Sequence, residues 1–264
     1  MPSPRDIDTL LKNWQFRPGE VNARLVKARN GRQVLQMRID MGIVQMETEL
    51  RPDGMRPHGA DTYYDYLVGE AIREGDDFRL TQEQCAEADR EFVQYYQRRL
   101  CWLALREYRR ATQDADHSLA FMDFVHRHSP DEEWTLSHEQ YRPFVLFHRV
   151  QAGALAALEE QGPENAIHEI NSGLSRFRDL FARYDAAEQF DDDELVKRLE
   201  EMRESVRERY EVGRTLEEQL AEAVRLEDYE LAARIRDELR GERSGPRRAG
   251  RRKPASGGAE AADA

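Results

Sequence analysis

Residues 21–50, VNARLVKARNGRQVLQMRIDMGIVQMETEL, decide the fold class. Leu35, Met37, Ile39 and Met41 alternate with Gln36, Arg38 and Asp40, the period of two that lays a strand over an apolar surface. Val21–Ala28 precedes this run, and Asn30-Gly31 stands between them. That pair favours a type I′ turn, in which both central residues need positive φ. Gly42 interrupts the run and Ile43–Leu50 supplies a third strand. Three strands with one apolar face need a cover, so a helix from the rest of the chain is expected to pack there.

Further along, the period changes to that of a helix. Phe92, Tyr95, Tyr96, Leu100 and Leu103 recur at helical spacing, and the pattern continues through Glu107–Ala111 to Leu119, Met122 and Phe124. After the polar break HRHSPDEE a second pair begins near Ser137, with Phe144, Phe147, Val150, Ala154 and Leu158. Gly162-Pro163 ends that helix and opens the next, which carries Ala166, Ile167, Ile170, Leu174, Phe177 and Phe181. Strands first and helices afterwards give an α+β chain, mostly α. Two segments resemble the second helix of a tetratricopeptide repeat. They are Glu107–Ala111 with Ser118-Leu119, and Pro163–Ala166 with Gly173-Leu174. In both, a small residue follows the alanine by seven and a leucine comes next. The two alanines are 55 residues apart, not the repeat's ~34. The resemblance implies a concave, peptide-binding helical middle.

The region between strands and helices, ELRPDGMRPHGAD, is rich in proline and glycine and reads as a rigid loop. Its Arg51, Arg56 and His58 are a candidate anion-binding set, and on that reading the chain is an enzyme or ligand-binding protein. His117, His126, His128, His138 and His148 crowd the middle, but no two of them stand at i, i+4, so they read as surface and loop histidines and no metal is expected. The two cysteines, Cys85 and Cys101, cannot build a disulfide framework or an all-cysteine zinc site. There is no glycine-rich phosphate loop, nucleophile elbow or carboxylate pair with a clear partner, so no cofactor and no catalysis are expected.

The stretch LEEQLAEAVRLEDYELAARIRDEL, residues 216–239, is the densest signal. The acids Asp191–Glu194 start a preceding helix with the stripe Leu195, Leu199, Met202, Val206 and Tyr210, and Gly213 fits the C′ position that closes it. Thr215 and Glu218 then read as a capping box. Leu216, Leu220, Ala223 and Val224 form an inner face, and the first helix ends near Leu226-Glu227. Asp228 caps a second helix with Tyr229, Ala232, Ala233, Ile235, Arg236 and Leu239. The product is a short helical hairpin. With Leu216, Ala223, Asp228-Tyr229-Glu230, Ala232-Ala233 and Arg236-Asp237 it closely resembles the UVR motif, the hairpin shared by the B and C proteins of bacterial nucleotide excision repair. Leu220 stands where methionine is common and Tyr229 where phenylalanine is usual. The resemblance implies docking through Leu216, Leu220, Ala223, Tyr229, Ala232, Ala233, Arg236 and Leu239. The partner would be a protein bearing a UVR-like or other helical hairpin, or a second copy. A side lined by alanines would be left free for it, with Tyr229 as the anchor. An activator of a protein kinase or Clp-type protease is the alternative the same resemblance raises, though that family's paired Cys-x-x-Cys motifs are absent.

Composition bounds the rest. The 264 residues are 35% charged with a net charge of −12. Residues 241–264 hold six basic and three acidic side chains, leaving −15 on the first 240. Phosphate repels such a body, whereas the tail's Arg247, Arg248, Arg251, Arg252 and Lys253 suit contact with nucleic acid or an acidic protein. That tail has no large apolar residue and reads as disordered. No apolar run is long enough to span a bilayer and the start has no apolar signal region, so a cytoplasmic, non-membrane protein is expected. Four regions follow: a β-meander with its loop over 1–61, a helical middle over 62–212, the hairpin over 213–240 and the basic tail over 241–264. The functional expectation is a non-catalytic adaptor, linked to excision repair or stress response.

Overall fold

The computed structural model describes residues 6–243. The expected disordered tail lies outside them from residue 244 onward, with its five basic residues. The fold is α+β and mostly α: a short helix α1 (Asp8–Asn13), a three-stranded antiparallel sheet, then helices. Strands β1 (Asn22–Lys27), β2 (Gln33–Ile39) and β3 (Gly42–Glu47) lie in sequence order. Their register sets Ala23, Met37 and Val44 in one cross-strand row and Leu25, Leu35 and Met46 in the next. These rows form the apolar face that the period of two predicts. On the other face Arg24 donates from Nε and Nη2 to Gln36 Oε1 at 3.0 and 2.8 Å, and Gln36 Nε2 donates to Gln45 Oε1 at 3.0 Å. The Arg24 guanidinium lies 4.0 Å above the Trp14 ring.

Two details of the sheet depart from the sequence reading. The first turn is not type I′. Only Gly31 has positive φ (86°), Gly31 N donates to Ala28 O, and Ala28 N donates to Arg32 O. This is the three-residue loop in which a type I turn is followed by a left-handed glycine, and Asn30 needs no unusual backbone. The apolar alternation also stops at Met37: Ile39 is 43% and Met41 88% exposed. Met41 falls in the β2–β3 turn, where the Arg38 guanidinium gathers the carbonyls of Ile39, Asp40 and Gly42.

Seven helices complete this part of the chain: α2 (Tyr63–Glu74), α3 (Gln82–Ala104), α4 (Tyr108–His128), α5 (Glu132–Glu139), α6 (Arg142–Glu160), α7 (Pro163–Arg183) and α8 (Glu194–Tyr210). The cover for the sheet is helical, as three exposed strands require. Cys101 and Trp102 of α3, Ala111 of α4 and Ala152 of α6 form one buried cluster with Leu35 and Met46. A second cluster joins α2 to α3 and α4 through Leu67, Phe78, Ala88 and Phe121. The largest packs α4, α6, α7 and α8 through Leu119, Val150, Ile170, Phe177 and Leu199. Where α6 crosses α7, a Cβ on Gly173 would overlap both methyls of Val150. A larger residue is excluded there.

Pattern reading runs α3 into α4, but the chain breaks between them. Arg106 takes φ 60°, Glu107 N donates to Trp102 O and Arg106 N to Leu103 O. That is a Schellman closure with arginine in the place usually held by glycine. The same substitution ends α8: Glu211, not Gly213, is left-handed (φ 54°). Gly162 does act as read, with φ 101° ahead of Pro163. The chain divides after Val212, and the second unit begins at Gly213. The boundary drawn at residue 61 is not one, because the sheet's apolar rows have no core apart from α3, α4 and α6. Among the described residues no helix is long and apolar enough to cross a membrane.

Candidate functional site

The second unit is built on two helices, α9 (Leu216–Arg225) and α10 (Tyr229–Arg243). Thr215 opens α9 with a reciprocal capping box: its Oγ1 accepts from Glu218 N at 3.3 Å, and the Glu218 carboxylate accepts from Thr215 N at 2.8 Å. The helix closes on a left-handed Glu227 (φ 59°), with Asp228 N donating to Ala223 O at 2.9 Å. Asp228 Oδ1 then accepts from Leu231 N at 3.0 Å and caps α10. The turn between the helices is fixed by these bonds.

Ala223, Ala232 and Ile235 are buried in one cluster, with Leu216, Leu220 and Leu239 packed against it. This corrects the expectation of a free alanine-lined side. Ala223 and Ala232 are the small residues that let the two helices meet, and they form the hairpin's interior. Ala233 is half-buried, and Arg236 is exposed beside Asp237, with Nη2 at 3.3 Å from its Oδ1. Tyr229 is 68% exposed, which leaves its hydroxyl in water and its ring available. The turn adds apolar surface that the pattern put inside or passed over: Val224 is 52%, Leu226 62% and Leu231 38% exposed. Val224, expected on the inner face with Leu216, Leu220 and Ala223, is exposed instead. The hairpin's interior takes Ala223, and one residue further round the helix Val224 falls on the open flank.

The family model for the UvrB/uvrC motif matches residues 212–241. The chain carries a UVR motif. Neither the curated proteins nor the solved structures give a match to the chain. The matched segment coincides with α9 and α10 and includes all eight hairpin residues singled out from the sequence. The UVR hairpin thus supplies its own small core and presents a tyrosine and three aliphatic side chains around its turn.

The Arg/His loop is different. Arg51 and Arg56 border one hollow of about 360 Å³, but His58 is not in its wall. Arg51 is almost wholly buried and pairs with Glu87, with Asp53 and Glu91 each at 3.4 Å. Arg56 pairs with Asp61 at 3.3 Å, and His58 stacks on Tyr66 with ring centroids 4.0 Å apart. The three do not converge, and the charge of both arginines is already answered by carboxylates.

The histidines are not surface residues as a group. His148 is buried, His117 stacks on Tyr95 at 3.7 Å, and His138 lies between Trp134 and Phe92 at 4.5 and 4.8 Å. Each serves as an aromatic packing group. Among the described residues no three His, Cys, Asp or Glu side chains are grouped so as to hold a metal ion. Cys85 and Cys101 are free and buried in α3, where burial pushes their thiols up to about 11 and about 12. Thiols so placed are poor nucleophiles.

Proposed function

We propose that this chain is a non-catalytic adaptor that docks a protein partner through its UVR hairpin. The partner carries a helical hairpin of the same kind, as a repair or stress-response protein would, or is a second copy of the chain. The reading is carried by Tyr229, Val224, Leu226 and Leu231, four large apolar side chains exposed around one short turn. Exposed apolar clusters of this sort mark interaction surfaces, and aromatic anchors dominate small ones. The internal cluster supports the same view. Its three buried residues can hold the hairpin's shape, while the side chains outside it hold nothing in that core.

Crosslinking of the intact protein in extract of its own cells tests this, with Tyr229→Ala alongside. A discrete product in the native form, absent from Tyr229→Ala at unchanged helix content, is the expected result. Equal products from both forms would dismiss the hairpin as the docking point. No product at all, with a monomer by sedimentation, would remove the adaptor reading.

A further inference from the structure

A cavity of about 710 Å³ opens between α3, α4, α5 and α6, within the size range of small-molecule sites. Its wall is largely apolar: Phe92 and Tyr96 from α3, Met122 from α4, Phe144 from α6. Its rim is open, with Val93 53% and Tyr96 41% exposed.

At its wall lies Arg99, only 1% exposed. The other deeply buried arginines are answered. Arg51 has Glu87 and Glu91, Arg98 has Asp114, and Arg142 has Glu139. Arg38 is spent on backbone carbonyls. Arg99 has no carboxylate. Its Nη1 donates to Ser118 Oγ at 3.1 Å, its Nε makes a long 3.4 Å contact to His148 Nδ1, and its Nη2 bonds to none of the described residues. Asp114, the nearest acid acting on it, is held in both oxygens by Arg98. Burial lowers Arg99 to about 10, which still leaves it cationic at neutral pH, and burial pushes His148 down to about 4, so the ring beside it is uncharged. A buried cation with no carboxylate bonded to it is costly, and an anion brought to it relieves that cost.

We propose that this cavity binds a monocarboxylate with an aryl or alkyl body, the carboxylate received by Arg99, whose guanidinium is steadied by Ser118 Oγ, and the body by Phe92, Tyr96, Met122 and Phe144. A guanidinium fork with a free terminal nitrogen matches a carboxylate. One cation suits one negative charge. A dianion would face Asp89 in the same wall, whose carboxylate already takes His138 at 2.9 Å and Trp134 at 3.1 Å. This site is independent of the UVR hairpin and adds a ligand to the adaptor reading.

Calorimetry on the full chain tests it with three probes: 4-phenylbutanoate, the uncharged 4-phenylbutan-1-ol and inorganic phosphate. The carboxylate saturates one site below about 1 mM, the alcohol binds at least about tenfold more weakly, and phosphate does not compete. Arg99→Met erases the preference for the carboxylate over the alcohol. Val93→Trp, at the solvent-exposed rim, fills the mouth and abolishes binding of both even if Arg99→Met does not fold. Three results would each overturn the proposal: no saturable binding of 4-phenylbutanoate to the native chain, a carboxylate preference that survives Arg99→Met, or undiminished binding to Val93→Trp. Competition by phosphate would reassign the site to small anions.

Discussion

Arg98 and Asp114 show how single residues join the sheet to the helices. Arg98 meets both Asp114 oxygens at 2.9 and 2.7 Å, and its Nη1 donates to the carbonyls of Glu47 and Leu50 at the end of the sheet. Both side chains are almost fully buried. Removing one partner strands the other's charge out of water. Asp114→Ala should therefore lose about 3–5 kcal/mol of stability, read from urea unfolding, whereas an exposed pair such as Arg17–Glu20 should lose next to nothing. His148 gives a pH signature. Its folded pKa, lowered by burial to about 4, lies beneath the ordinary 6.5 of the unfolded chain. Between these values the unfolded chain holds more protons than the folded one. Stability is thus full above about pH 6.5 and declines as pH falls toward 4, by up to about 3 kcal/mol. Urea midpoints at pH 7 and pH 5 should separate in the native protein and draw together in His148→Gln.

At the scale of elements, α6 and α7 approach closely where Gly173 faces Val150. Gly173→Ala raises helix propensity but forces a methyl into Val150. Overpacking of this kind costs about 1–3 kcal/mol, against roughly 1 kcal/mol gained from propensity. A net loss of melting temperature is expected, recovered when Val150→Ala is added; a stabilised Gly173→Ala would mean that the two helices are not held this close. The UVR hairpin works on the same principle with alanine. Ala223 and Ala232 let α9 and α10 meet, so these two alanines of the motif are interior, while its Tyr229 and the aliphatic side chains beside it are exposed.

For the molecule as a whole, the division after Val212 sets the expectation for truncation. Every buried cluster of the sheet and helices α2–α8 is made from residues up to Val212. A chain ending at Val212 should keep the cooperative unfolding of that unit, with an unfolding free energy within about 0.5 kcal/mol of the same unit's in the intact protein, because its buried clusters draw on nothing beyond Val212. It should at the same time lose every crosslink that depends on Tyr229. A truncated chain that fails to unfold cooperatively would contradict the division.

The meander, the helical middle and the hairpin were legible because each rests on local physics. Period two along Leu35–Met37, the Gly162-Pro163 boundary and the Thr215–Glu218 capping box need only neighbours a few residues away. Left-handed Arg106 and Glu211 were hidden, since their cost is met by closing hydrogen bonds and no residue type announces them. So were the neutralised loop arginines, the histidines used as packing rings, and Arg99 without a carboxylate at the edge of a cavity. Those depend on which side chains meet across tens of residues. The sequence alone determined where strands, helices and the UVR motif would form, because hydrogen bonds and apolar faces are set within an element. Only the tertiary structure decided which charges are paired, which alanines are interior and which apolar surface stays open, because burial is a property of the elements that pack together and not of any one of them.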